Sequence, residues 1–273
     1  WLQLDFLDRA LQPGELCKIA IIMTLAQIVS ESMEKHGKLT GLKPVAYSVL
    51  VCAAPTLLVM LQPDFGTAFV YICILVFIFF IGRISWGYIA AAAGMLAIGA
   101  PLAYRFILAP EQQMRIDVFL NPELDLTNYG YNVAQSKIAI GSGQLYGKGF
   151  FSEGTLAQLR FVPERHTDFV FAGIVEGLGF VGGTVIIVLY FLLIFRWLFI
   201  AMATKDPFGS CLVIGATGMM TAHVFENIGM TIGLMPVTGI PLPFISYGGS
   251  NLLTNMIAVG IVVNVWMRRP RKH

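Results

Sequence analysis

The sequence predicts an all-α integral membrane protein that crosses the bilayer several times. Of its 273 residues, 56% are hydrophobic and 12% are charged, whereas soluble domains carry about 25% charged residues. The apolar residues fall into blocks of about 20 residues, the length of a helix that crosses a bilayer. The net charge is +2 and no basic stripe is present, which argues against nucleic acid as a partner.

Seven apolar blocks are long enough to be membrane spans. The first begins at Pro13, which suits the first turn of a helix, and Glu15 lies near the positive end of the helix dipole. The run over residues 169–200 is too long for one upright span, and Gly177, Gly179, Gly182 and Gly183 interrupt it midway, so we expect an amphipathic or re-entrant part before the fifth span. The predicted spans cover residues 13–32, 44–61, 67–81, 86–108, 182–200, 208–225 and 250–266.

The Lys and Arg residues of the short connections predict the orientation of the spans. One alternating set contains Lys35, Lys38, Lys43, Arg83, Arg196, Lys205 and the four basic residues of the tail, whereas residues 62–66 and 229–249 contain neither Lys nor Arg. The C-terminus is therefore predicted to be cytoplasmic, and the long polar segment 110–167 to face outward. Trp1 would then lie outside, so we expect further helices upstream of it.

Cysteine and histidine do not form a recognisable metal or disulfide pattern. The four cysteines all lie in apolar blocks and are typical of small buried side chains. The four histidines are too far apart in sequence to resemble a set of zinc ligands.

The polar segment ends in a dense cluster of ionisable side chains. Glu164, Arg165, His166 and Asp168 lie within five positions, just before an apolar run. Such a cluster at the edge of a membrane-embedded body indicates a site where polar chemistry meets the bilayer. The alternative is that Thr167 or Asp168 caps the following helix and that the other charges are simply solvated.

A second unusual stretch, residues 229–249, contains three prolines and five glycines among mostly apolar residues. It cannot form a regular helix, and irregular backbone at membrane depth persists only when it is buried in protein or lines a cavity. A purely structural re-entrant loop is the alternative.

Two acids, Glu176 and Glu226, lie in or near spans. Carboxylates are costly there and tend to be functional. Glu226 could instead lie at the outer interface.

The glycine-rich stretch 140–150 contains Lys148 but does not match a nucleotide P-loop, because Ser142 replaces the first glycine and Gly149 the final hydroxyl residue. A looser role, in which backbone N–H groups and Lys148 bind an anionic lipid headgroup, stays open.

The other cations of the polar segment are Arg115, Lys137, Arg160 and Arg165. Each alone is more often solvated, but together they could hold a diphosphate while a carboxylate handles a proton.

Several stretches together resemble one family, the SEDS proteins (shape, elongation, division and sporulation) of the RodA/FtsW/SpoVE group. They are Gln12-Pro13-Gly14-Glu15, Gln62-Pro63-Asp64-Phe65-Gly66-Thr67, Gln-Ser-Lys-Ile-Ala-Ile-Gly-Ser-Gly at residues 135–143, residues 161–169, and the run from Pro236 to Ser250. The third stretch and Gln158-Leu159 look more like RodA than FtsW. Gly14 stands where the family usually has serine, a departure that affects only capping.

The resemblance implies a ten-helix protein of the bacterial plasma membrane, of which these seven spans would be the last seven. The chain would form a single membrane domain over residues 1–273, with a large outer loop at residues 109–168 within it. The family polymerises lipid II, the lipid-linked disaccharide-pentapeptide, into glycan strands for cell elongation and shape. It works with a class B penicillin-binding protein that cross-links the strands.

The resemblance also implies a catalytic residue, because Asp168 matches the aspartate that is essential in the family. We expect Asp168 to be the general base. Glu164 and His166 could position Asp168 or a divalent cation, Mg or Mn. The residues expected to bind substrate are Arg115, Lys137, Lys148, Glu164, His166, Asp64 and Ser246. A lipid II flippase and a non-catalytic scaffold for the penicillin-binding protein are the alternatives. The polar residues cluster on one face rather than along a path through the membrane, which favours the enzyme.

Overall fold

The computed structural model describes residues 2–4, 9–106, 108, 110–121, 124–125, 129–149 and 167–268, which are almost entirely helical. The helices are α1 (Pro13–His36), α2 (Leu42–Met60), α3 (Phe65–Ile81), α4 (Trp86–Phe106), α5 (Pro110–Leu120), α6 (Tyr129–Ser142), α7 (Val170–Ala203), α8 (Pro207–Ile232) and α9 (Gly249–Met267). A short antiparallel hairpin, β1 (Leu2–Leu4) with β2 (Arg9–Leu11), precedes them and pairs Leu2 with Leu11. The all-α prediction is confirmed.

The predicted membrane spans correspond to seven apolar helices. Among the described residues, six helices are long and apolar enough to cross a bilayer. The seventh, α3, has 17 residues and a length of about 26 Å at 1.5 Å per residue, slightly less than the hydrocarbon core. The chain is therefore a polytopic membrane protein.

Helices α1 and α8 continue furthest past their predicted ends. Helix α1 reaches His36 and ends at Gly37, whose φ of 72° is left-handed and whose N–H bonds to the carbonyl of Met33 at 2.8 Å. Helix α8 continues past residue 225 to Ile232. In the sequence Glu226 and Asn227 looked like the interfacial end of this span. In the structure both are buried within the protein.

The polar segment 110–167, predicted as a loop, contains two helices, α5 and α6. Each is attached to an apolar helix through a side-chain hydrogen bond. The Tyr104 hydroxyl of α4 donates to Asp117 of α5 at 2.6 Å, and the buried Ser136 hydroxyl of α6 donates to the carbonyl of Thr231 at 2.7 Å. These bonds join residues that are distant in sequence or lie on another helix, so the polar composition of the segment alone did not predict the two helices.

By its internal contacts the chain divides into two compact units. The first unit comprises Trp1–Leu96, Leu193–Ala222 and Gly249–His273. Within it α1, α2 and α3 pack on one another and α9 packs on α1. The fully buried core side chains include Ile22, Leu25, Tyr71, Ile74 and Ile78. A buried ion pair joins Lys18 to Glu15 at 2.6 Å within α1.

The second unit comprises Ala97–Leu192 and His223–Gly248. In it α7 is broken at Gly179, where φ is 72° and ψ is −173°. The predicted interruption of the 169–200 run by glycine is therefore confirmed. A non-glycine residue rarely adopts this φ, which explains why the break falls at a glycine.

The break in α7 is filled by the glycine-rich stretch that follows α6. On one side, the amides of Lys148 and Gly149 donate to the carbonyls of Glu176 and Gly177, both at 2.9 Å. On the other side, the amides of Phe180 and Val181 donate to the carbonyls of residues 144 and 145, at 2.8 and 3.1 Å. The stretch thus satisfies the backbone groups that a broken helix leaves without partners. The bonds to Glu176 and Gly177 occupy the N–H groups of Lys148 and Gly149, which the sequence had suggested for an anionic headgroup.

Gly147 is the residue of this stretch least able to accept a side chain. Its φ is 78°, and a Cβ there would lie 2.1 Å from the carbonyl oxygen of Gly177. We expect Gly147→Ala to lower the free energy of unfolding by about 2–5 kcal/mol, through backbone strain and overpacking. Thermal unfolding of the purified protein in nanodiscs measures the loss.

The matched control for Gly147→Ala is Gly141→Ala in α6. A Cβ at Gly141 would meet nothing within 4 Å, so this variant should be neutral or more stable by up to about 1 kcal/mol. Equal melting temperatures for the two variants would contradict the close approach at Gly147.

Candidate active site

Asp168 lies in the turn that leads into α7, between a buried anchor and an irregular segment. The next residue, Phe169, is buried with Ala139 and Ala172 in a small apolar core against which Val237 packs. Asp168 as a residue is half-buried, and its carboxylate lies against Gly239, where an added Cβ would be 3.4 Å from Oδ2. The aspartate is therefore held in place through its buried neighbour Phe169.

The irregular segment over residues 233–248 lies between α8 and α9, as the prolines and glycines predicted. Three residues in it have left-handed backbone, Gly233 (φ 77°), Gly239 (φ 77°) and Phe244 (φ 63°). Side chains from other elements bond to its backbone carbonyls: Arg115 Nη1 to Val237 at 3.5 Å, Asn227 Nδ2 to Ile240 at 2.7 Å, His223 Nδ1 to Pro241 at 3.2 Å, and the Tyr190 hydroxyl to Pro243. Protein side chains thus satisfy carbonyls of this irregular backbone, as membrane depth requires, although several of its own side chains are exposed.

Glu226 also holds this segment. Its Oε1 accepts a 2.9 Å hydrogen bond from the Thr238 hydroxyl, and its side chain is 1% exposed. Because Thr238 precedes Gly239, the Glu226 and Asp168 carboxylates contact neighbouring residues of the same segment. The sequence placed Glu226 in or near a span, with the outer interface as the alternative, and the structure shows that its side chain is buried within the protein.

Two of the predicted substrate-binding cations lie together. Arg115 of α5 and Lys137 of α6 line a small cavity with Gly233, Pro236 and Val237. Its volume is about 30 Å³, roughly the share of one water molecule in the liquid. A diphosphate is larger than this, so it would bind at the mouth of the cavity or require the cavity to open.

Lys148, the third predicted cation, occupies a different place. Its ammonium lies 3.5 Å from the Glu176 carboxylate, which is buried and also accepts a 3.3 Å hydrogen bond from the Ser142 hydroxyl. Lys148 does not line the Arg115–Lys137 cavity. Its charge therefore balances an acid beside the break in α7.

Asp64 and Ser246 have contacts within the protein that were not expected from the sequence. Asp64 caps α3, accepting from the Thr67 amide at 2.9 Å and from the Thr67 hydroxyl at 2.8 Å, and Gln12 Nε2 lies 3.3 Å away. The Ser246 hydroxyl accepts from the Leu242 amide at 2.8 Å and donates to the carbonyl of Thr167 at 2.5 Å. Their substrate contacts stay predictions.

The remaining predicted site residues, Glu164 and His166, lie outside the described residues. In the part of the chain that the structure describes, no group of three or more His, Cys, Asp or Glu side chains could hold a metal ion. The divalent cation therefore stays a prediction that depends on Glu164 and His166.

The comparison with known families gives one match that spans the chain. A family model for the FtsW/RodA/SpoVE cell cycle proteins matches residues 1–271. The chain belongs to this family. The predicted SEDS resemblance is thereby confirmed.

Relatives of this SEDS chain include the peptidoglycan glycosyltransferase MrdB of Escherichia coli K12, 40% identical over 269 residues that cover 98% of this chain and 71% of that protein. RodA of Treponema pallidum, named a peptidoglycan glycosyltransferase, is 43% identical over 190 residues, 69% of this chain and 44% of that protein. The stage V sporulation protein E of Bacillus subtilis is 38% identical over 265 residues, 94% of this chain and 68% of that protein.

Solved structures support the same fold. A chain from a peptidoglycan synthase complex that coordinates polymerization and crosslinking superposes with a TM-score of 0.77 at 29% identity, over 96% of this chain and 71% of that one. The rod shape determining protein RodA of Thermus thermophilus superposes with a TM-score of 0.63 at 27% identity, over 96% of this chain and 67% of that one.

Asn227, which bonds to the backbone of Asp168, was not identified from the sequence of this SEDS chain. Its carboxamide is fully buried and donates to the carbonyls of Asp168, at 2.8 Å, and Ile240, at 2.7 Å. The available signal was the adjacent Glu-Asn pair inside an otherwise apolar helix. A buried amide in such a place needs hydrogen-bond partners, but the sequence alone does not say which.

Proposed function

We propose that this chain is a peptidoglycan glycosyltransferase that polymerises lipid II into glycan strands at the outer face of the plasma membrane, for cell elongation and shape. The observation that carries the proposal is the placement of Asp168, a partly exposed aspartate whose backbone carbonyl is held by Asn227 beside the irregular segment. The family membership and the relatives named peptidoglycan glycosyltransferase support it. The C-terminus is proposed to be cytoplasmic.

In the proposed reaction Asp168 is the general base. Its carboxylate takes the proton of the sugar 4-hydroxyl of one lipid II molecule, within hydrogen-bond reach of that oxygen. The oxygen forms a bond to the anomeric carbon of the growing strand, and the bond from that carbon to the diphosphate breaks. Undecaprenyl diphosphate leaves with the electron pair. A single direct displacement inverts the α-linkage to β and requires one base and no covalent intermediate.

Arg115 and Lys137 are proposed to bind the diphosphate of lipid II. They belong to the same unit as Asp168, and both lie beside residues 233–237 of the irregular segment that also contacts Asp168. Cations stabilise the negative charge that accumulates on a leaving diphosphate. Lys148 is a weaker candidate for binding the diphosphate, because its ammonium would have to leave Glu176 to reach substrate.

Replacing either cation should weaken catalysis without unfolding the protein. Arg115→Gln and Lys137→Gln each remove a charge-assisted hydrogen bond, which is worth about 1.5–3 kcal/mol, so we expect kcat/KM for lipid II to fall about 10- to 100-fold. Steady-state polymerisation rates measure the change. The control is Lys205→Gln, an exposed lysine before α8, which should behave as wild type. A similar loss in the control, or none in the two variants, would refute the diphosphate role.

Glu164 and His166 are proposed to position Asp168 or a divalent cation, Mg or Mn. When bound, such a cation would neutralise diphosphate charge. No step of the proposed reaction depends on this cation.

A class B penicillin-binding protein is the proposed partner. The likeness to a chain of a complex that coordinates polymerization and crosslinking supports this proposal.

The decisive experiment for the activity uses the full-length protein, purified with its class B partner and given lipid II. Glycan polymer, separated by gel electrophoresis, is the expected product. Absence of polymer together with movement of lipid II across liposome membranes would instead make the protein a transporter. The buried ionisable residues Glu15, Lys18 and Glu176 are the features that a transporter would use. Neither polymer nor transport would favour a scaffold.

A further inference from the structure

Two buried polar side chains each join the backbone at Asp168 to the irregular segment. Asn227 Nδ2 donates to the carbonyls of Asp168 and Ile240, at 2.8 and 2.7 Å. The Ser246 hydroxyl donates to the carbonyl of Thr167 at 2.5 Å and accepts from the Leu242 amide at 2.8 Å. Consecutive residues of the Asp168 turn are thus attached, one by each side chain, to residues 240 and 242.

The chemistry of each side chain suits such a bridge. A carboxamide has two N–H donors on one nitrogen, and a hydroxyl is a donor and an acceptor at once. Asn227 therefore fixes two carbonyl oxygens at one point, and Ser246 connects a carbonyl to an amide. Two attachments on adjacent peptide units restrict both the position and the rotation of the Asp168 backbone relative to Gly239, against which its carboxylate lies.

We propose that Asn227 and Ser246 are positioning residues that hold the Asp168 carboxylate in its reactive place. The inference rests on the proposed function, since it assigns them to the same base. A displacement of about 1 Å at a reacting group can cost about 100-fold in rate. The two bridges would therefore act on the chemical step rather than on the binding of substrate.

An apolar residue of similar size at position 227 would leave the carbonyls of Asp168 and Ile240 without this donor. The carboxamide nitrogen is therefore the part of the side chain that a substitution must remove to test the bridge.

The test compares Asn227→Ala and Ser246→Ala with wild type in the polymerisation assay, using the full-length protein with its partner. We expect kcat to fall about 10- to 100-fold while KM for lipid II changes by less than about twofold. Ser246→Thr keeps the hydroxyl and should recover most of kcat. The matched control is Ser210→Ala, which removes another buried serine hydroxyl that donates to a carbonyl of a different helix, Ala201, at 2.8 Å.

The outcomes separate this proposal from the proposed function. If Asp168→Asn is inactive but Asn227→Ala and Ser246→Ala keep the wild-type kcat, the positioning role is wrong and the enzyme stands. A rise in KM with unchanged kcat, or an equal kcat loss in Ser210→Ala, also overturns it. If Asn227→Ala does not fold, the comparison of Ser246→Ala with Ser246→Thr decides. Activity in Asp168→Asn would refute the proposed base itself.

Discussion

Asp168→Asn is expected to abolish measurable glycan polymerisation while the protein stays folded. An asparagine amide has nearly the same shape as the carboxylate but cannot accept the proton of the attacking hydroxyl. A positioned general base contributes about 100- to 10,000-fold in rate, and a loss of that size is the expected result. The bond from Asn227 to position 168 uses the backbone carbonyl, so it survives the substitution. Polymer yield, together with thermal unfolding of the same preparation, measures both effects.

The control for this variant is another aspartate changed in the same way. Asp206 caps α8, accepting from the amides of Gly209 at 2.8 Å and Phe208 at 3.3 Å. Asparagine is equally good at a helix N-cap, so Asp206→Asn should retain both activity and stability. Polymer made by Asp168→Asn at more than a tenth of the wild-type rate would mean that another group is the base.

Features that depend on local composition were predictable from the sequence. The apolar blocks became helices because a bilayer allows few other structures for a backbone. The irregular segment at residues 233–248 and the break at Gly179 followed from prolines and glycines that cannot continue a helix. Asp168 was identified because ionisable residues are sparse elsewhere in this chain and the surrounding motif resembles a known family.

Features that depend on contacts distant in sequence were not predictable. Asn227 lies 59 residues from the carbonyl it holds at Asp168, and Ser246 lies 79 residues from Thr167. The glycine-rich stretch 143–149 looked like an anion-binding loop because glycines let a backbone come close to a phosphate. The same glycines let this backbone come close to a helix. Its true partner, the broken backbone of α7, appears only in three dimensions.

Breaking the buried ion pair in α1 is expected to lower the stability of the protein strongly. Lys18 and Glu15 are 1% and 3% exposed, their charged atoms are 2.6 Å apart, and the Lys18 ammonium also interacts electrostatically with Asp64. Lys18→Met leaves the Glu15 carboxylate buried without its cation. Breaking a buried pair in this way typically costs about 3–5 kcal/mol, so we expect a clear fall in the melting temperature in nanodiscs.

Replacing both partners should cost much less than replacing one. In the double variant Glu15→Leu with Lys18→Met no uncompensated charge remains, and exchanges of this kind are often neutral or stabilising. Lys35→Met, which removes an exposed lysine from the last turn of the same helix, should cost no more than about 1 kcal/mol. If Lys18→Met proved as stable as Lys35→Met, the pair would contribute nothing to folding. If the double variant were stable but inactive, the pair would instead be required for function, because its charges could then be removed without loss of the fold.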